Sequence, residues 1–104
     1  MRRRFESLLL EHLHAAFPNY VHDLSEEGII ALIQKGIGDS SKYGVINEAD
    51  VARYVEYMLI LDPEFDSNPK SAWAGEILQT HGITGTQKME RIHVYWFTLN
   101  RRSG

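Results

Sequence analysis

The stretch NEADVARYVEYMLIL, residues 47–61, constrains the fold most strongly. Asn47 is a good helix N-cap. Glu48 and Asp50 place carboxylates in the first turn, where the helix dipole favours negative charge. Val51, Tyr54, Val55, Met58 and Leu59 then recur at the spacing that lays one apolar face along a helix. Tyr57, Ile60 and Leu61 extend the apolar surface almost all round the second half. A helix apolar on most sides must be covered on most sides, so this one is expected at the centre of a core.

The rest of the chain repeats that period. Phe5, Leu9, Leu13 and Phe17 predict a first helix over about 2–17, ended by Pro18 and Asn19. Ser25, with Glu26 and Glu27 after it, predicts a second helix running towards Tyr43, with Ile29, Ile30, Ile33 and Ile37 as its inner stripe. Gly28, Gly36 and Gly38 each cost about 1 kcal/mol relative to alanine inside a helix, so a break is expected near Gly38, with Gly44 as a left-handed cap. A short helix is expected within KSAWAGEILQTHG (70–82), ending at Gly82. Thr84 and Gln87 match a capping box for a last helix whose inner stripe is Met89, Ile92, Trp96 and Leu99.

No segment alternates polar and apolar residues over more than a few positions, so strands are not expected. The fold class is all-α, a compact bundle of four to five helices. At 104 residues the chain suits a single helical domain, 1–104, with 1–4 and 101–104 as frayed basic tails. No apolar run approaches the roughly 18 residues of a membrane span. Arg2, Arg3 and Arg4 resemble the start of a signal peptide, but Glu6, Glu11, His12 and His14 interrupt the apolar stretch after them. A cytoplasmic location is the expectation.

Cysteine is absent, which excludes disulfides, thiolate catalysis and zinc–thiolate sites. The net charge of −3 conceals an asymmetry, because five of the eleven basic residues lie in the tails. Residues 5–100 carry six Lys/Arg against fourteen Asp/Glu, a balance of −8. Such a body is poorly suited to neutralising phosphates, so nucleic acid is not the expected partner.

Between the two most apolar runs lies LILDPEFDSNPKSAWAGEIL (59–78). Asp62, Glu64, Asp66 and Asn68 alternate like the first ligands of a calcium loop, but Ser67 stands where that loop needs glycine and Trp73 where it needs a bidentate glutamate. A catalytic carboxylate pair is disfavoured, since no His, Lys or Arg is arranged nearby to split the two pKa values. The better reading is a structural clasp. Phe65 and Trp73 anchor it in the core, Pro63 and Pro69 restrict its backbone, and the acids stay solvated.

His12, His14, His22, His81 and His93 lack the three- or four-residue spacing of a helical metal pair. Serine-hydrolase and phosphate-loop signatures are also absent, and GITGT (82–86) reads as a cap and turn. No enzymatic activity, cofactor or metal is expected. Tyr95, Trp96 and Phe97 are consecutive on a helix, pointing about 100° apart, and cannot all face one core. With Tyr57 they form the candidate partner-binding set, since aromatics anchor interfaces as well as interiors.

The span KYGVINEADVARYVEYMLILDPEFDSNPKSAWAGEIL, followed by KMERI, resembles a family of small, poorly characterised bacterial proteins encoded beside type VI secretion genes for spike proteins, PAAR-repeat tips and toxic effectors. The likeness covers roughly residues 26–93. It is carried by Tyr43-Gly44, the Asp50–Tyr57 helix with Arg53-Tyr54, Phe65-Asp66, Trp73-Ala74 and Lys88-Met89. These are packing positions and contain no catalytic set. The resemblance implies a chaperone, co-chaperone or adaptor whose partner is an effector, spike component or loading chaperone from the same locus. An immunity protein for a co-encoded toxin is the alternative, and a small helical DNA-binding or regulatory domain is a third. A homodimer is compatible with the protein-binding reading.

Overall fold

A computed structural model describes the backbone over residues 2–103 and the side chains over 4–100. The expected frayed tails, 1–4 and 101–104, fall outside the described side chains apart from Arg4. Among the described residues the chain forms six α-helices and no strand. They are α1 (Arg2–Ala16), α2 (Pro18–Val21), α3 (Glu26–Ser41), α4 (Glu48–Ile60), α5 (Ala72–Leu78) and α6 (Gly85–Ser103), with a 3-10 turn over Pro69–Ser71.

Helix α4 is the hub, packing against α1, α2, α3 and α6. Its burial follows the apolar pattern: Val51, Tyr54, Val55, Tyr57 and Met58 are buried, while Leu59, Ile60 and Leu61 pack partly against the core. Leu9 and Leu13 of α1, Ile29 and Ile33 of α3, Leu78 of α5, and Met89 and Ile92 of α6 complete that core.

Three helix starts obey local rules. Ser25 Oγ accepts from Gly28 N at 3.0 Å, and Asn47 Oδ1 accepts from Asp50 N at 3.0 Å. At α6 the box is reciprocal: Gln87 N donates to Thr84 Oγ1 (3.1 Å) and Thr84 N donates to Gln87 Oε1 (2.8 Å). Gly44 adopts φ +77°, the left-handed turn between α3 and α4.

Helix α1 stops at Ala16, before Pro18 as expected, and Pro18 then opens the single turn α2, where its missing N–H is no loss; this turn adds a helix to the expected count. Two expectations fail. Helix α3 does not break near Gly38 but runs on to Ser41. The reason is its crossing with α4. A Cβ on Gly36 would lie 2.5 Å from Val55 Cγ2 and 3.0 Å from Met58 Sδ, so glycine there permits a close approach whose packing offsets its poor helix propensity. Helix α5 ends at Leu78, four residues before Gly82.

Candidate protein-binding surface

The segment between α4 and α5 is a clasp, with a different division of labour from the one expected. Phe65 is fully buried, its ring centroid 4.8 Å from that of Tyr54 and 6.4 Å from that of Tyr57. Local bonds hold its backbone. Asp62 Oδ1 accepts from Glu64 N at 2.7 Å, and the buried Ser71 hydroxyl donates to the Phe65 carbonyl at 2.8 Å. Trp73 is only half-buried and stacks on Tyr95 of α6.

The acids are not uniformly solvated either. Glu64 is exposed, but Asp66 is partly buried and accepts from the Tyr43 hydroxyl at 2.7 Å. Burial first, and then this hydrogen bond, push the Tyr43 phenol up to about 12. Tyr54 lies in the same region, fully buried, its hydroxyl close enough to Asp66 to feel it but without a hydrogen bond of normal geometry. Burial drives its pKa far upward, and the nearby Asp66 charge adds to that.

The four candidate contact residues separate. Tyr57 is 4% exposed, with its hydroxyl in hydrogen-bond contact with His93 Nδ1 at 3.1 Å; it belongs to the core and is not a surface residue. Burial raises it to about 12, against the lowering effect of Arg53. Trp96 packs half-buried against the core. Tyr95 and Phe97 remain exposed, at 44% and 56%.

Sequence reasoning missed the residue that joins them. Val94 is 58% exposed, and at about 100° per residue it lies between Phe97 and Tyr95 on the outer arc of α6. Its position outside the stripe Met89, Ile92, Trp96 and Leu99 was the available signal. Beside this arc runs an open groove of about 580 Å³, bounded by Ile77 of α5 and by Gln87, Glu90, Arg91, Val94, Tyr95 and Thr98 of α6.

Among the described residues no group of three or more His, Asp or Glu is arranged to hold a metal ion. Three histidines bond other groups instead: His12 to Glu56 (2.8 Å), His22 to Asp23 (2.9 Å) and His93 to Tyr57. No helix of the described residues is long and apolar enough to cross a membrane. Set against family models, curated proteins and solved structures, the chain finds no match in any of the three.

Proposed function

We propose that this chain is a non-catalytic, cytoplasmic protein-binding factor, acting as a chaperone, co-chaperone or adaptor for a type VI secretion effector or spike component. The class of partner comes from the sequence resemblance. The observation that supports binding is the run of Phe97, Val94 and Tyr95 across the outer arc of α6, next to the open groove bordered by Ile77. Single exposed apolar residues are ordinary, whereas adjacent ones beside a groove are the usual mark of an interaction site. The acidic body supplies steering rather than most of the affinity.

The test is co-expression with the product of each neighbouring gene, followed by pull-down, together with a secretion assay on a deletion strain. Loss of effector export while the toxin is still tolerated supports the chaperone reading. Self-intoxication on deletion points to an immunity protein. Binding to a DNA fragment and to none of the neighbours defeats both.

A further inference from the structure

We propose that a second groove, where the turn between α3 and α4 meets the loop between α5 and α6, is a binding site for an oxyanion, a phosphate or carboxylate group. It encloses about 400 Å³, and Lys42, His81 and Lys88 converge on it around Tyr43, Leu78 and Thr80. It shares no lining residue with the α6 surface and does not depend on the function proposed above.

The charge pattern is the main support. Residues 5–100 hold only six Lys/Arg against fourteen Asp/Glu, yet two of those six and a histidine line this one groove, and no carboxylate does. Structural duties account for only part of this. Lys88 Nζ donates to the Tyr43 carbonyl at 2.9 Å, near the C-terminal end of α3, which uses one of the three ammonium N–H groups. Lys42 Nζ lies 3.3 Å from Asp39 Oδ1, but Asp39 is already held at 2.6 Å by Lys35, and the Lys42 side chain is 62% exposed. One carboxylate therefore faces two ammonium groups, and positive charge is left over at the groove.

The walls are also set in advance. Tyr43 is fixed at both ends, its hydroxyl on Asp66 and its carbonyl on Lys88. The first turn of α6 lies so close to Gly44 that a Cβ on Gly85 would overlap the Gly44 carbonyl, which locks Lys88 against this turn. Lys88, held in this way, can meet an oxyanion as a point charge without a large ordering cost, and the exposed Lys42 adds a second charge from the rim.

The test is a ¹H–¹⁵N NMR titration of the full chain with inorganic phosphate and, separately, acetate, both at fixed ionic strength. Saturable shifts are expected at Lys42–Gly44, Gln79–Gly82 and Lys88. Lys42→Gln, an exposed change that leaves the fold intact, should weaken binding about fivefold, the scale of one exposed charge contact. Saturation by phosphate alone identifies a phosphoryl ligand, saturation by acetate alone a carboxylate one, and saturation by both a site that accepts either oxyanion. Shifts that are diffuse and never saturate, or saturation unchanged in both Lys42→Gln and His81→Gln, overturn the proposal.

Discussion

Trp73 stacks on Tyr95 with ring centroids 4.6 Å apart and planes 20° from parallel, which ties the clasp to α6 through a contact at the protein surface. Phe65, in contrast, is fully enclosed. Phe65→Ala should therefore cost about 3–5 kcal/mol, as for other buried large aromatics, and Trp73→Ala less. A double-mutant cycle between Trp73 and Tyr95, read by chemical denaturation, should give a coupling of about 0.5–1.5 kcal/mol. A coupling near zero would mean that the rings are neighbours without mutual stabilisation.

Two glycines close together in α3 should respond with opposite signs. Gly36→Ala drives a methyl into Val55 and Met58, and overpacking of this kind costs about 1–3 kcal/mol, more than the helix propensity recovered. Gly38 has nothing within 4 Å of its missing Cβ, so Gly38→Ala should stabilise by about 0.5–1 kcal/mol. Denaturation midpoints that move in the same direction would contradict the close α3–α4 crossing.

The Tyr54 hydroxyl is buried near Asp66 without a hydrogen bond of normal geometry, and a fully unsatisfied buried hydroxyl costs about 1–3 kcal/mol. Tyr54→Phe keeps the ring against Phe65 and removes that penalty. It should be neutral or stabilising; a clear loss of stability would reveal a partner for the hydroxyl.

Alkaline pH should destabilise the fold through Tyr43. Its folded pKa is raised to about 12, by burial and then by the bond to Asp66, while an unfolded tyrosine ionises near 10. The contribution is thus complete below about pH 10 and is lost as pH climbs towards 12. Tyr57, also raised to about 12, adds to the same loss. Tyr43→Phe should lower the midpoint at neutral pH and flatten its fall in alkali. For the same reason Asp66→Ala should cost more than Glu64→Ala, whose side chain is exposed.

What can be read from the sequence is what neighbours in the chain decide. Ser25, Asn47 and Thr84 cap helices through residues three positions away, and the apolar period of α4 marks it as central before any partner is known. What cannot be read depends on distant residues. The continuity of α3 past its glycines rests on the close packing of Gly36 against Val55, and the burial of Asp66 on Tyr43, 23 residues earlier. Tyr57 looks like a surface candidate because nothing local reveals His93, 36 residues further on. Val94 was legible from its place outside the stripe Met89, Ile92, Trp96 and Leu99, but one valine beside three aromatics draws no notice by itself.

The most direct test of the α6 binding face compares the wild-type chain with Val94→Glu and Phe97→Glu in pull-downs against the products of the neighbouring genes. Both side chains are exposed, so both variants should keep wild-type helicity and unfold within about 0.5 kcal/mol of the parent, as surface substitutions do. A partner captured by the wild type should be retained at least tenfold more weakly by each variant, in line with the roughly 1.4 kcal/mol or more lost at an anchoring residue. Folded variants that capture the partner as well as the wild type does would contradict the assignment of this face as the binding surface.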